Sequence, residues 1–278
     1  MPAPTIADRR ERFRALHESV CFLIPNPWDV GSAVLLENLG FPALASTSAG
    51  FAWTRAKADG AASRDEVIDH LADLVAHTTV PINADYENAY AHAPADVAAS
   101  VVAAAKSGIA GLSVEDNTGD AANPLYGFDE AVARVKAAAD ALKGTGVLLT
   151  ARCEAILLGR PDGMAEVMRR LPAFAEVGAD VLYAPGLREP DQIAAVVKAV
   201  APKPVNLLVG WPSPLSVTDI EALGVRRISV GGALARAAYG GMLSVARDII
   251  GAGSFKGFAG IEPSAAINGV FKGQAPQA

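Results

Sequence analysis

Short apolar runs alternate along the chain with longer stretches in which apolar residues recur at helical spacing. The runs are residues 21–24 (CFLI), 43–47 (ALAST), 80–85 (VPINAD), 110–116 (AGLSVED), 146–152 (GVLLTAR), 180–184 (DVLYA), 204–209 (PVNLLV) and 226–231 (RRISVG). They are rich in Val, Ile and Leu, and many are introduced by Gly or Pro, the pattern of parallel strands buried on both faces. Between them the spacing predicts helices. One spans 29–38, behind Pro27-Trp28, and stops at Gly40. A second, 63–77, opens with SRDE, a capping box in which Ser63 is the N-cap and Glu66 the third helical residue. A third, 94–107, has Pro at its start and Gly108 just past its end. Similar patterns cover 128–143, 161–177, 190–200, 216–223 and 232–250.

This strand–helix order repeats eight times with short connections, which predicts an α/β fold of the (β/α)8 TIM-barrel type rather than an open doubly wound sheet. No linker divides the chain, so residues 1–278 are expected to form one barrel domain. A helix over 6–19 is expected to cover one barrel end, and the Gly-, Ala- and Pro-rich tail after Gly251 to dock elsewhere.

Composition narrows the class. At 278 residues and 51% hydrophobic, the chain suits one large core. A net charge of −6 without Lys/Arg clusters argues against a nucleic-acid partner. Cys21 and Cys153 are too few for a disulfide framework or a Cys-rich zinc site. The N-terminal stretch is charged and lacks the apolar core of a secretory signal, and no apolar run approaches the ~18 residues of a membrane span. A cytoplasmic protein that takes a small-molecule substrate is the expectation.

In such barrels the chemistry lies at the C-terminal strand ends. Those ends carry Ser46, Thr47 and Ser48; Asp85 and Glu87; Glu115 and Asp116; Arg152 and Glu154; Tyr183; Asn206; and Ser229, Gly231 and Gly232. Carboxylates facing one mouth repel each other unless a cation sits among them. Hard oxygen donors without His or Cys suit Mg²⁺, with Mn²⁺ as the alternative. Asp85 is the expected direct ligand, with Glu87 and Glu115 acting through water, and Arg152 is expected to hold a substrate carboxylate. The competing account is that these are ordinary strand-end charges in salt bridges.

Several chemistries are disfavoured. No Lys lies at a strand end, which argues against a Schiff base. His17, His70 and His77 fall on helices and His92 in a loop near the mouth. There is no Gly-x-Ser-x-Gly elbow and no dinucleotide fingerprint after the first strand.

Four segments together carry a resemblance: NPWDVGSAVLLENLGFPALASTSAG, ADYENAY after the third strand, SVEDN after the fourth and ARCEA after the fifth. Over residues 20–235 the chain resembles the isocitrate lyase/phosphoenolpyruvate mutase superfamily, on its phosphonomutase-like side. The resemblance implies a Mg²⁺-dependent barrel, a homo-oligomer (dimer or tetramer) and a last helix swapped between subunits. It implies Asp85 as metal ligand, Glu87 and Glu115 on metal-bound waters, and Asp59 as an acidic residue of a mobile loop. It also implies substrate contacts from Ser46, Thr47, Ser48, Trp28, Asn206 and Arg152, with Arg152, Glu115 and Asp59 catalytic.

The departures bear on the reaction. Isocitrate and methylisocitrate lyases carry a Lys-x-Cys-Gly-His loop, where this chain reads NTGDAANPLYGF, so a true isocitrate lyase is not expected. Cys153 neighbours Arg152 and should face the helices, so it cannot replace the cysteine of that loop, which serves those lyases as the acid. The gate loop of the phosphonomutases keeps only Asn117 and Asn123. Ala89-Tyr90-Ala91 stands where Gly-Tyr-Gly is usual, predicting a stiffer loop, and Tyr183-Ala184-Pro185 predicts a less polar wall. The expected activity is a Mg²⁺-dependent lyase that breaks a C–C bond in a small 2-oxo or 2-hydroxy carboxylate through a pyruvate-like enolate. The alternatives are a C–P bond enzyme, a phosphate-binding barrel using Gly231-Gly232, and a catalytically silent Mg²⁺/oxo-acid binder.

Overall fold

The computed structural model describes residues 3–18 and 21–273. Eight parallel strands form one sheet in the order β1-β8-β7-β6-β5-β4-β3-β2. They are β1 (Phe22–Ile24), β2 (Leu44–Ala45), β3 (Ile82–Asp85), β4 (Gly111–Glu115), β5 (Leu148–Arg152), β6 (Val181–Tyr183), β7 (Val205–Leu208) and β8 (Arg227–Ser229). Each falls within a predicted run. The helices are α1 (Ile6–Glu18), α2 (Val30–Asn38), α3 (Ser48–Thr54), α4 (Arg64–His77), α5 (Pro94–Ala105), α6 (Phe128–Leu142), α7 (Gly163–Glu176), α8 (Pro190–Val200), α9 (Val217–Ala222), α10 (Ala233–Ala252) and α11 (Ser264–Phe271). The expected helix 6–19 is present as α1, and its residue 19 lies outside the described residues. The Ser63–Glu66 capping box forms as predicted.

The order is that of a (β/α)8 barrel, drawn closed between β1 and β2 by Ala45, whose N–H donates to the Pro25 carbonyl at 3.0 Å. Asn26 reinforces this seam. Its amide donates to Ser46 O at 2.9 Å, and its carbonyl oxygen accepts from Val230 N–H at 3.0 Å and Gly231 N–H at 2.8 Å. One side chain thus ties the ends of β1, β2 and β8 together.

Strand alternation decides what enters the barrel. Gly111, Ser113 and Glu115 of β4 stand in register with Leu148, Thr150 and Arg152 of β5. The intervening Leu112, Val114, Leu149 and Ala151 pack in the layer between sheet and helices. A smaller inner cluster holds Phe13, Phe22, Ile24, Ala43, Ala45, Ala110 and Leu148. Its Phe13 comes from α1, which covers the N-terminal barrel end as expected. Arg10 pins that helix, donating to Ile109 O at 3.0 Å, Thr145 O at 2.7 Å and Ala105 O at 2.8 Å. Gly111 is required here, because a Cβ would lie 2.7 Å from both Asn83 Oδ1 and Phe13 Cε1.

Two expectations change. The run 43–47 is not a strand throughout: Thr47 caps α3, accepting from Gly50 N–H at 3.3 Å. That helix, SAGFAWT, is too short and Gly-interrupted to show a period. The C-terminal tail does not leave the barrel entirely, since α11 packs on α2, with Phe271 against Gly31.

Candidate active site

Asp85, the last residue of β3, enters the mouth with both oxygens engaged. Oδ2 accepts the Ser48 N–H at 3.0 Å, and Oδ1 lies 3.3 Å from the Arg152 guanidinium. The Asp85 N–H donates in turn to Ser46 Oγ at 2.9 Å. The turn from β2 into α3 therefore presents Ser46 and Ser48 to Asp85, while Thr47 is spent on capping. Ser48 also reaches outward, its hydroxyl donating to Asp59 Oδ1 at 3.2 Å. Burial, then the Asp85 charge, raises the Asp59 carboxyl.

Arg152 is the hub. It bridges Asp85 and Glu115, each at 3.3 Å, and its Nε and Nη2 grip the two oxygens of Glu154, the second at 3.1 Å. Its guanidinium carbon lies 5.2 Å from the Tyr183 ring centroid, so the predicted less polar wall is an aromatic face. Burial alone would weaken the cation. The Glu154, Glu115 and Asp85 carboxylates outweigh it and hold Arg152 well above its ordinary value.

The carboxylates outnumber this one cation. Burial, then Asp85, pushes the Glu87 carboxyl up to about 7, although the Tyr90 hydroxyl donates to it at 3.0 Å. Burial raises Glu115 well above its ordinary value against the pull of Arg152. Glu87 adopts a left-handed φ of 45°, and its carbonyl accepts the Glu115 N–H at 2.9 Å. Among the described residues, no group of three or more His, Cys, Asp or Glu side chains is placed to hold one ion. A cation held here would take few direct protein ligands and reach the remaining acids through water, as Mg²⁺ does. The acidic, His-free and Cys-free donor set, short of positive charge, fits that ion.

Beneath the mouth lies a cavity of about 40 Å³, lined by Asp85, Arg152, Tyr183, Asn206, Arg227, Ser46 and their neighbours. It is small and polar, with room for a few waters. Asn206 is buried, donating to Ser229 Oγ at 2.9 Å and accepting from Arg227 Nε at 2.8 Å. Trp28 does not line this cavity; its N–H donates to Ser32 Oγ at 3.0 Å and its Cβ faces Gly50.

Alternation separates other strand-end candidates. Asp116 turns outward, accepting the Glu154 N–H at 2.8 Å and pairing with Arg170 of α7 at 3.0 Å. Cys153 faces the helices too, and burial puts its thiol well above its ordinary value. His92 pairs with the Tyr126 hydroxyl at 2.6 Å. The Val230 and Gly231 N–H groups are spent on Asn26, which leaves the Gly231-Gly232 turn fewer donors for a phosphate. Reading by residue type passed over Glu154 as the Arg152 anchor, Asn26 as the seam and Arg227 in the cavity wall. For Arg227 the signal was present: in RRISV it shares the parity of Ser229.

A parallel barrel whose mouth gathers carboxylates around one guanidinium over a small polar cavity has the layout of a (β/α)8 barrel with its site at the C-terminal strand ends. The chain belongs to the phosphoenolpyruvate phosphomutase family, whose model matches residues 13–250, within the isocitrate lyase/phosphoenolpyruvate mutase superfamily. It is 30% identical over 233 residues to an oxaloacetate decarboxylase of Paraburkholderia xenovorans strain LB400, covering 81% of this chain and 75% of that protein. A solved structure from Burkholderia cenocepacia J2315, assigned as a candidate lyase or mutase, superposes with a TM-score of 0.93 at 45% identity, covering 98% of this chain and 99% of that one. Oxaloacetate acetylhydrolase, solved with its product oxalate, superposes with a TM-score of 0.83 at 27% identity, covering 96% of each chain.

Proposed function

We propose that the protein is a Mg²⁺-dependent lyase that cleaves a C–C bond in a small 2-oxo or 2-hydroxy carboxylate, releasing a pyruvate-like enolate. The observation that carries this is the meeting of Asp85, Glu115 and Glu154 on one guanidinium, Arg152, above a small polar cavity. The similarity to an oxaloacetate decarboxylase and to an oxalate-bound acetylhydrolase supports it.

Asp85 would hold the ion directly, and Glu87 and Glu115 would hold its waters. Bound there, Mg²⁺ supplies a Lewis acid for the charge that develops on an enolate oxygen. Arg152 orients the substrate carboxylate. Its grip on Glu154 sets the plane of the guanidinium, which lines the cavity. Ser46 accepts from the Asp85 N–H, which leaves its own hydroxyl proton to donate toward the ligand. Ser48 couples Asp59 to Asp85 and so links the loop after α3 to the mouth. Tyr183 excludes water from one side of Arg152.

The test is pyruvate release with and without Mg²⁺ from oxaloacetate, methylisocitrate, isocitrate, 4-hydroxy-2-oxo acids and phosphonopyruvate, for the wild type and Asp85→Ala. Turnover that requires Mg²⁺ and vanishes in the variant supports the assignment and names the bond. Absence of both turnover and Mg²⁺-dependent oxalate binding overturns it.

We also propose a homo-oligomer, a dimer or tetramer. Of the 20 residues of α10 only Ala235 is buried, and Met242, Leu243, Ile250, Phe255, Phe258 and Ile261 stand exposed along α10 and the segment after it. A second copy of the chain is the occupant this apolar arm suits. Among the described residues no helix is long and apolar enough to cross a membrane.

A further inference from the structure

Arg227 enters the barrel at the start of β8 and is 3% exposed. All three of its hydrogen-bond acceptors are neutral: Asn206 Oδ1 at 2.8 Å, Thr150 Oγ1 at 3.0 Å and His17 Nε2 at 3.3 Å. The His17 tautomer follows from its other nitrogen. Nδ1 lies 2.8 Å from the Phe13 carbonyl and must carry the proton, so Nε2 accepts. Among the described residues no Asp or Glu forms an ion pair with Arg227. Arg170, also buried, pairs with Asp116 and Glu166, and the half-buried Arg152 has three carboxylate partners; Arg134, buried too, likewise lacks an ion pair but spends its guanidinium on backbone carbonyls rather than on a cavity wall. A buried charge without a counter-charge is costly, and such exceptions concentrate at functional sites.

Its position shows what it serves. Glu115, Arg152, Tyr183, Asn206 and Arg227 form one register row across β4 to β8, each the Cα partner of the next. Arg152 ends its strand at the mouth. Arg227 begins its own, bonds Thr150 two residues below Arg152, and meets His17 of the helix that covers the opposite barrel end. Both guanidinium-bearing residues line the same 40 Å³ cavity, Arg152 toward its mouth and Arg227 toward its foot. The unpartnered, buried Asn83 Oδ1 belongs to a residue of the same wall, so that polar wall is incompletely satisfied without a ligand or water.

We propose that Arg227 is a specificity-determining residue of this site: the positive charge it holds at the foot of the cavity, uncompensated by protein, favours a dianionic ligand over a monoanionic one of the same shape. The inference rests on the proposed oxo-acid site. Asn206 holds the guanidinium edge in place, and Thr150 and His17 keep it from turning away. A carboxylate entering the cavity supplies the counter-charge that the protein omits.

The experiment compares oxalate with oxamate, an isostere carrying one charge fewer, by calorimetric titration in the presence of Mg²⁺. The proteins are the wild type, Arg227→Gln, Arg227→Lys and Asn206→Asp, the last giving Arg227 a carboxylate partner without removing it. The expected result is a wild-type preference for oxalate of about tenfold or more, as for hydrogen bonds to charged groups. That preference should collapse in Arg227→Gln and in Asn206→Asp and persist in Arg227→Lys. Equal weakening of both ligands, or a preference that survives in both Arg227→Gln and Asn206→Asp, overturns the proposal. If Arg227→Gln does not fold, Asn206→Asp decides by itself. Failure of oxalate to bind the wild type removes the oxo-acid site itself, and this proposal with it; binding with an unaltered preference removes only the role of Arg227.

Discussion

Arg134 of α6 donates to the Asn88 carbonyl at 2.7 Å, reaching across from the helix layer to the loop that follows the Asp85 strand. The same guanidinium reaches the carbonyls of Ala91, at 2.6 Å, and His92, and its carbon lies 3.8 Å from the Tyr126 ring centroid. The loop needs this hold. Glu87, Ala89 and Tyr90 all adopt left-handed φ values, 45°, 63° and 53°, at about 1 kcal/mol or more each for a residue with a Cβ. A glycine at position 89 would relax one of these three. Arg134→Met keeps the stem and leaves three carbonyls without their donor. It should lower stability by about 3 kcal/mol in urea unfolding. An unchanged midpoint would mean that the loop is held by Tyr90 and Asn88 alone.

Arg152→Lys tests the hub. A guanidinium reaches Asp85, Glu115 and both oxygens of Glu154 at once, whereas an ammonium has neither the fork nor the plane. On whichever substrate the panel identifies, kcat/KM should fall by about 100-fold or more, with the far-ultraviolet spectrum retained. A variant of near wild-type efficiency would reduce Arg152 to a source of charge.

His70 predicts an acid limb of the stability curve. It stacks on Phe51 with ring centroids 4.1 Å apart, and its buried Nε2 has no hydrogen-bond partner. Burial pushes the imidazole down from 6.5 to about 4, against the opposing charges of Asp29 and Asp73. As pH falls below 6.5 the unfolded chain takes up a proton that the folded chain refuses, so stability is full above 6.5 and drains toward pH 4. The slope due to this residue approaches about 1.4 kcal/mol per pH unit inside that window. His70→Phe keeps the stacking and should flatten this limb relative to the wild type. His17, lowered to about 3 by burial and Arg227, stays in both proteins, so the difference isolates His70. Parallel curves would assign the acid limb to other groups.

The apolar arm predicts the assembly. Ile250 is 88% exposed near the end of α10. If a second copy covers it, Ile250→Asp should shift the light-scattering mass from dimer or tetramer toward monomer, leaving the barrel folded. A monomeric wild type at micromolar concentration would remove the proposed oligomer.

The alternation of apolar runs and helical spacing was enough to place eight strands and their order along the chain, because strand burial and helix amphipathy are written within a dozen neighbouring residues. The capping box of Ser63 and Glu66 was legible for the same reason. So were Asp85, Glu115 and Arg152 as mouth residues, since a strand end in a parallel barrel has one functional side. Three things needed the folded chain. Asp116 and Glu154 look alike as strand-end acids, yet one pairs with Arg170 in the helix layer and the other anchors Arg152, because a single step along a strand reverses its face. Asn26 closes the barrel with partners 20, 204 and 205 residues away, a contact that no local pattern encodes. Arg227 shares a cavity with Arg152 although 75 positions separate them, because register, not sequence distance, sets which side chains meet inside a closed sheet.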